Sequence, residues 1–384
     1  MNILPDYQNR SIVNLMASIC KSMNYTTPYS CYSGLDPQEI NKFENIILLI
    51  IDGMGYEYVQ KEGKNTFFQK YLQDRLTSIF PSTTAAAITA YSTGLSTQQH
   101  ALTGWFIYFK EIAIAAIGLP FVARAANTPL QLPAKHLLNF PNLYDNIERT
   151  SYYIVPQNLK NTAATDVLAG KSNRLGYKNL RGFSQHIIQT VNKNNSAKYI
   201  YAYWSNFDKL CHLYGAGGNN TKQHFFELNE FVTYLSNKLA NSNSLLIVSS
   251  DHGMLDIKPQ NTIYMADHPK LAETLVMPLS GEPRIPYCYV KASRRDDFLE
   301  YMTKNLAHAF QVKKSCDLIE ENYFGLGWEN TNLRDRIGDY ALLPKADYVF
   351  KDGVMGEKIH DFIGYHAGLS SQEMYIPLII KSLR

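Results

Sequence analysis

The sequence predicts an α/β fold in which helices cover both faces of a parallel β-sheet. Short apolar runs alternate with longer amphipathic stretches, and within the runs nearly every residue is apolar. This is typical of strands that are buried on both faces and joined through helices. The predicted strands are 46–51, 152–155, 199–204, 245–249 and 376–380, and two of the intervening helical patterns are 182–192 and 224–240.

The alternation of strands and helices stops between residues 262 and 345. This stretch holds PLSGEPRIP, a strand-like YCYVKA, a helix-like segment from 296 to 309, and RIGDYALLP. We therefore predict an α/β core of residues 1–261 and 346–384, interrupted by an inserted α+β cap module of residues 262–345. A further segment, 105–123, is aromatic and then apolar, which favours a hairpin or lid near the top of the sheet.

Composition and charge argue against several classes of protein. Of the 384 residues, 45% are hydrophobic and 18% are charged, an ordinary balance for a globular chain. The formal net charge is +3, and no block of five or more basic residues occurs. We therefore expect neither a nucleic-acid polymer nor a membrane surface as a partner.

Cysteine usage and the apolar runs bear on the compartment. The five cysteines are scattered and show no C-x-x-C spacing, which argues against a disulfide framework. The longest apolar run, 112–123, is interrupted by Gly118 and Pro120 and is shorter than the roughly 20 residues that span a bilayer. The N-terminal stretch lacks a secretory pattern. We expect a soluble, cytoplasmic protein without a membrane span.

Acidic and imidazole side chains follow the predicted strands. In an open parallel sheet, ligands bind beyond the carboxyl ends of the strands. Any one of these residues could be a helix cap or a structural histidine. Together they would repel one another or stay unsatisfied unless cations neutralised them, and mixed nitrogen and oxygen ligands suit Zn²⁺ best, with Mn²⁺ or Fe as alternatives. The residues are Asp52, Asp208, His212, Asp251, His252 and His366.

A candidate nucleophile lies in LTSIFPSTTAAAITAYSTG. Ser82, Thr83 and Thr84 follow Pro81 and precede a helical run of small residues. A helix N-terminus binds phosphate, and a metal can lower the pKa of a threonine hydroxyl enough to make it a nucleophile. The alternative is that one of these hydroxyls only caps the helix, and the segment taken alone favours the cap.

The ordered segments DGMG, FPSTTAAA…TG…H, FDxxxH, SDHGM and GxHAG resemble the nucleotide pyrophosphatase/phosphodiesterase family of the alkaline phosphatase superfamily. The resemblance implies a parallel-sheet α/β sandwich that hydrolyses phosphodiester or pyrophosphate bonds through a phosphothreonine. It also implies that Thr84 is the nucleophile and that two divalent metal ions are bound, one by Asp52, Thr84, Asp251 and His252 and the other by Asp208, His212 and His366.

One position departs from the family pattern. Where the family often has an asparagine that donates to a phosphoryl oxygen, this chain has Trp105, in HALTGW. The donor is therefore lost or replaced, for example by the backbone N–H of Thr84. Trp105, with Phe106, Tyr108 and Phe109, could stack on a nucleobase or could pack within the protein. SGEPR, at 280–284, resembles a segment of bacterial members of this group.

Two alternative functions remain open at this stage. Thr84 lacks the C/S-x-P-x-R setting of a sulfatase, but a phosphonate or phosphomonoester hydrolase of the same superfamily fits. A catalytically inactive, metal-binding homologue is the alternative from another class. In every case the expected partner is a small phosphate ester, such as a nucleotide-like molecule.

Overall fold

The computed structural model describes residues 2–194, 196–357 and 359–384, which form two seven-stranded sheets with helices packed around the first. The strands are β1 (Asn45–Ile51), β2 (Leu72–Thr77), β3 (Phe106–Phe109), β4 (Ile114–Ile117), β5 (Val122–Ala123), β6 (Thr150–Pro156), β7 (Asn173–Tyr177), β8 (Lys198–Trp204), β9 (Ser244–Ser249), β10 (Leu255–Asp256), β11 (Thr262–Tyr264), β12 (Ser280–Gly281), β13 (Pro286–Cys288), β14 (Phe310–Lys314), β15 (Tyr340–Pro344), β16 (Val349–Lys351), β17 (Gly364–Tyr365) and β18 (Tyr375–Leu383).

The helices vary from single turns to the 20 residues of α10. Several begin at a residue whose side chain accepts a hydrogen bond from the first turn, such as Asn179 before α8. The helices are α1 (Ile12–Lys21), α2 (Pro37–Asn41), α3 (Tyr56–Glu62), α4 (Phe67–Lys70), α5 (Thr84–Thr93), α6 (Thr97–His100), α7 (Ala163–Ala169), α8 (Leu180–Asn192), α9 (Asn206–Tyr214), α10 (Asn219–Lys238), α11 (Pro269–Ala272), α12 (Arg295–Tyr301), α13 (Ser315–Glu320), α14 (Leu333–Arg336) and α15 (Ser371–Met374).

The first sheet has the strand order β2-β18-β9-β1-β8-β6-β7 and is largely parallel. Its central strands β1, β8 and β9 are buried along their whole length, as their apolar sequences predict. One hydrophobic cluster, which includes α1 and α5, covers one face, and a second, which includes α8 and α10, covers the other. The predicted α/β sandwich is therefore confirmed.

The direction of the last strand of the first sheet was predicted wrongly. We placed 376–380 among the parallel strands, but β18 pairs antiparallel with both β9 and β2. The short helix α15 directly precedes β18, so the chain enters the sheet at the edge where the parallel strands end. The sequence of this strand could not reveal its direction, because a buried apolar run looks the same in either direction.

The second sheet has the order β14-β15-β13-β12-β3-β4-β5, and its strand pairs are antiparallel. Strands β12 to β15 come from the stretch predicted as a module. Strands β3 to β5 form the hairpin predicted for 105–123, and β3 pairs with β12. The second sheet is therefore not built from residues 262–345 alone. The helix-like segment 296–309 is α12 followed by a π-helical turn, Met302–Leu306.

Within the described residues, no helix combines the length and the apolar character needed to cross a membrane.

Candidate active site

The predicted site residues meet at one edge of the first sheet. β1 lies between β8 and β9, with Ile51 opposite Trp204 and Ile50 opposite Ser249. The three parallel strands therefore end at the same level, and the residues that follow them are neighbours in space. His366 joins them from the segment before the antiparallel strand β18, which starts at that edge.

Four residues form what we call the inner group: Asp52, Thr84, Asp251 and His252. Nε2 of His252 lies 3.1 Å from Oγ1 of Thr84, 3.4 Å from Oδ1 of Asp52 and 3.5 Å from Oδ2 of Asp251. Both carboxylates and the imidazole are buried. The group thus gathers two acids, one base and one hydroxyl around a single point.

Three residues form the outer group: Asp208, His212 and His366. Because α9 is helical, Asp208 and His212 lie one turn apart, as predicted, and Nε2 of His212 is 3.3 Å from Oδ2 of Asp208. Nε2 of His366 is 4.0 Å from Oδ1 of the same carboxylate. The imidazole of His366 stacks on that of His252, with ring centroids 3.8 Å apart, so the two groups share one cavity.

Each carboxylate of the site keeps a buried oxygen that has no hydrogen-bond partner among the described residues. Oδ1 of Asp251 accepts from the backbone N–H groups of Gly53 and His252, whereas Oδ2 has no partner. Asp52 accepts from the hydroxyl of Tyr203 on Oδ2 and has a free Oδ1. Oδ1 of Asp208 is also free. Free buried carboxylate oxygens in one cavity are costly unless a cation fills it.

Backbone carbonyls orient two of the histidines. Nδ1 of His212 lies 2.7 Å from the carbonyl oxygen of Gly364, and Nδ1 of His252 lies 3.1 Å from that of Gly253. A carbonyl can only accept, so each Nδ1 carries the proton and each Nε2 presents a lone pair to the cavity. This arrangement is usual for imidazoles that bind metals.

The pKa shifts of three residues of the site also favour bound cations. Burial, followed by the charges of Asp251 and Asp208, raises the pKa of Asp52 well above its usual range. Burial also raises the pKa of Asp208, and burial with the neighbouring imidazoles lowers the pKa of His366 well below its usual value. Two carboxylates that resist ionisation and one imidazole, His366, that stays neutral suit a pair of divalent cations, which would restore the carboxylate charge.

The three hydroxyls of the PSTT segment do not cap α5. Thr83 is the N-cap residue, yet its side chain makes no cap hydrogen bond and instead donates to Glu282. Ser82 donates to the carbonyl of Gly368, and Oγ1 of Thr84 faces His252. The N-terminus of α5, where the half-buried Thr84 lies, therefore receives no cap hydrogen bond from the side chain of its N-cap residue.

A sequence model of the type I phosphodiesterase / nucleotide pyrophosphatase family matches residues 46–368 of this chain. The chain belongs to this family. It is thus a member of a family of phosphoester hydrolases within the alkaline phosphatase superfamily. No curated protein matches the sequence significantly.

Solved structures similar to this chain have the same fold. Murine ectonucleotide pyrophosphatase / phosphodiesterase 5 superposes with a TM-score of 0.65 at 16% identity, over 87% of each chain. An inactive variant of that protein, with one threonine replaced by alanine and in complex with AMP, gives 0.65 at 16% identity over 88% of each chain. Phosphonoacetate hydrolase from Sinorhizobium meliloti 1021, in complex with phosphonoformate, gives 0.62 at 15% identity over 87% of this chain and 89% of the other.

Within this phosphodiesterase family member, two glycines let the strand-end loops approach each other. Gly53 has φ +74°, and a Cβ there would lie 3.2 Å from Asp208. A Cβ on Gly55 would lie 2.7 Å from Cα of Gly253. A side chain at Gly55 would therefore push the DGMG and SDHG loops apart, whereas one at Gly53 would be strained by its positive φ and would press on Asp208.

Trp105 is more than one-third exposed, and its backbone N–H donates to Glu282 over 2.7 Å. The three aromatic residues that follow it pack within the protein. Phe106 lies under the guanidinium of Arg124, Tyr108 contacts the edge of Tyr289, and Phe109 is buried. Of the four aromatic residues, Trp105 is the most exposed.

Sequence reasoning missed three residues around the site. Tyr203 holds Asp52, Glu282 approaches the nucleophile segment, and Arg284 forms a buried ion pair with Glu373. SGEPR was noted as a motif, but its two charged residues were not considered as part of the site. Two charged residues between apolar neighbours are a signal that could have identified Glu282 and Arg284. Tyr203 carried no signal, because aromatic residues are ordinary in a buried strand.

Proposed function

We propose that this chain is a two-metal hydrolase that cleaves phosphodiester or phosphoanhydride bonds of small phosphate esters through a covalent phosphothreonine at Thr84. One observation carries the proposal. Oγ1 of Thr84 lies at the N-terminus of α5, 3.1 Å from Nε2 of His252, in a cavity where Asp52, Asp208 and Asp251 each keep a buried oxygen without a protein partner.

The donor set fits Zn²⁺ best, with Mn²⁺ as the second choice. We assign Asp52, Thr84, Asp251 and His252 to one cation, and Asp208, His212 and His366 to the other. When bound, such a pair lowers the pKa of the threonine hydroxyl, neutralises the phosphoryl charge and stabilises the departing alkoxide.

The residues of the chain then have distinct tasks. Oγ1 of Thr84 loses its proton to solvent and attacks phosphorus, and the bond from phosphorus to the leaving oxygen breaks. The first N–H groups of α5 hold the phosphoryl oxygens during this step. Water next attacks the phosphothreonine, which releases a phosphate monoester and restores the hydroxyl of Thr84.

The structural relatives support two classes of substrate. A variant of the murine relative binds AMP, which favours a nucleotide-like ester. The Sinorhizobium relative is a phosphonoacetate hydrolase, which keeps a phosphonate as the second candidate. Trp105 stands at the position where the family often has asparagine. This replacement is the feature of the chain that supports a phosphonate as an alternative substrate.

The test is a hydrolysis panel on the purified protein loaded with Zn²⁺ or Mn²⁺. The panel contains a bis-aryl phosphodiester, an aryl phosphomonoester, a nucleotide-sugar, a dinucleotide and phosphonoacetate. We expect the highest kcat/KM on a diester or anhydride, with release of a monoester product. Preferred release of phosphate from phosphonoacetate would replace the proposal by the phosphonate alternative. Two equivalents of metal without turnover on any member would favour the inactive homologue.

A further inference from the structure

The SGEPR segment brings a carboxyl group to the phosphate side of the site. β12 pairs with β3 at Gly281 opposite Phe106, which joins the segment to the hairpin after the nucleophile helix. A Cβ on Gly104 would lie 2.9 Å from Cα of Gly281, so the two backbones touch. The next residue, Glu282, therefore enters the space between Trp105 and the start of α5.

Glu282 is 7% exposed and is held by two donors on one oxygen. Its Oε1 accepts from the hydroxyl of Thr83 and, over 2.7 Å, from the backbone N–H of Trp105. Thr83 immediately precedes the proposed nucleophile. Among the described residues, Oε2 of Glu282 makes no hydrogen bond, and this atom is not completely buried. One oxygen is thus held by two donors beside Thr83, and the other makes no hydrogen bond to the described residues.

The carboxyl group of Glu282 has no basic partner in the part of the chain that the structure describes. Arg284, two residues on, pairs with both oxygens of Glu373 over 2.9 and 2.8 Å and also donates to two backbone carbonyls. Glu373 in turn accepts from the backbone N–H of Gly368, two residues after His366. Arg284 therefore fixes the segment in place but does not neutralise Glu282.

The electrostatics of Glu282 depend on the same cavity. Burial raises the pKa of Glu282 to about 7, although the hydrogen bonds from Thr83 and Trp105 act to lower it. The charge of Asp208 also raises this pKa. Divalent cations beside Asp208 would favour the ionised form. In the metal-loaded protein this carboxylate then carries negative charge in contact with Thr83, the neighbour of the proposed nucleophile.

We propose that Glu282 is a specificity-determining residue of this site, whose carboxylate disfavours a dianionic phosphoryl group and so selects monoanionic phosphodiesters over phosphomonoesters. The inference rests on the proposed function. A phosphodiester carries one negative charge and a monoester up to two, so a fixed anion nearby penalises the monoester more. Trp105, at the position where the family often has asparagine, binds this acidic group through its backbone N–H, and the group comes from another strand.

The experiment compares Glu282→Gln with the wild type, both loaded with Zn²⁺, on bis(p-nitrophenyl) phosphate and p-nitrophenyl phosphate. Glutamine keeps the oxygen that accepts from Thr83 and Trp105 and removes the charge. We expect the ratio of kcat/KM for diester over monoester to fall by about 10-fold or more, mainly through faster monoester hydrolysis. Glu300→Gln, the same substitution at an exposed residue paired with Lys304, is the matched control and should leave the ratio unchanged.

The outcomes separate the two proposals. A wild type that hydrolyses neither these two esters nor any other member of the hydrolysis panel contradicts the proposed function itself. A wild type that hydrolyses the diester while Glu282→Gln keeps the wild-type ratio overturns the role of Glu282 alone. If the glutamine variant does not fold, the inhibition of the wild type by inorganic phosphate still tests the role of Glu282. Inhibition of diester hydrolysis by inorganic phosphate should weaken as pH rises from 6 to 8 and phosphate becomes dianionic, and stronger inhibition at pH 8 overturns the inference.

Discussion

The inner and outer groups reach the same edge of the sheet by different routes. Asp52 and Asp251 directly follow central strands, and backbone N–H groups or Tyr203 fix one oxygen of each. Asp208 and His212 lie on α9, and His366 lies on the segment before β18. The side chains of the outer group are 9–19% exposed, whereas those of Asp52, Asp251 and His252 are 0–3% exposed.

This difference assigns different tasks to the two groups. The sheet fixes Asp52, Asp251 and His252, so we expect the inner group to hold the nucleophile, whose position must not vary. The outer group lies on a helix and a loop that pack on the sheet, and its side chains are nearer to solvent. We therefore expect the leaving group to depart, and water to enter, on the side of the outer group. Substitutions in the two groups should therefore have different consequences.

Removing the nucleophile should have the largest effect. Thr84→Ala should lower the turnover of a phosphodiester by about 10⁴-fold or more, because no other hydroxyl lies at this position. Thermal unfolding should change little, since Thr84 is only half-buried. Thr93→Ala, which removes a hydroxyl from the other end of α5, is the matched control and should keep wild-type turnover. Wild-type turnover by Thr84→Ala would show that Thr84 is not the nucleophile.

Opening the outer group should have the next largest effect. Asp208→Ala and His212→Ala should each lower the metal content from two equivalents toward one and turnover by about 100-fold, because the inner group keeps its own ligands. Elemental analysis of the purified variants measures the metal, and assays at saturating metal measure the turnover. Two full equivalents in both variants would remove Asp208 and His212 from the ligand set.

The charge of Glu282 should make the stability of the metal-free protein depend on pH. Its pKa is raised from 4.5 to about 7 on folding, so the folded state holds a proton that the unfolded state has lost between these values. Stability from this group is therefore lost as pH rises through that window, by up to roughly 3 kcal/mol. Relative to wild type, Glu282→Gln should gain stability from pH 5 to pH 8.

Urea unfolding of both proteins in the presence of a chelator measures this difference. The difference between Glu300→Gln and wild type should stay constant over the same range, because that residue is exposed. A pH-independent difference for Glu282→Gln would mean that Glu282 ionises normally in the folded protein.

The smallest effect should come from the residue that orients Asp52. Tyr203→Phe removes the hydroxyl that donates to Oδ2 of Asp52 and leaves the buried ring in place. We expect about 10-fold weaker metal binding at the inner group, the usual effect of losing a residue that orients a ligand. Titration with Zn²⁺ against a competing chelator measures it, and an unchanged affinity would mean that Tyr203 contributes only packing.

Parts of the fold and site could be predicted because they are local in the sequence. A run of apolar residues that ends in aspartate identifies both a buried strand and the position of its last side chain, as at Asp52. The spacing of four residues between Asp208 and His212 gives a shared face once the segment is helical. The roles of these residues, the division into core and inserted module, and the cytoplasmic location stay predictions.

By itself, the sequence determined five of the seven strands of the first sheet and the side chains at its edge, because a buried strand is a run of consecutive apolar residues. It did not reveal β2 and β7, which are only partly buried and carry no such run. Only the tertiary structure decided the direction of β18, the pairing of the 106–123 hairpin with the sheet of residues 280–344, and the approach of Glu282 to Thr83. These features join residues far apart in the chain, and the free energy that selects them comes from packing and pairing between segments, which no single stretch encodes.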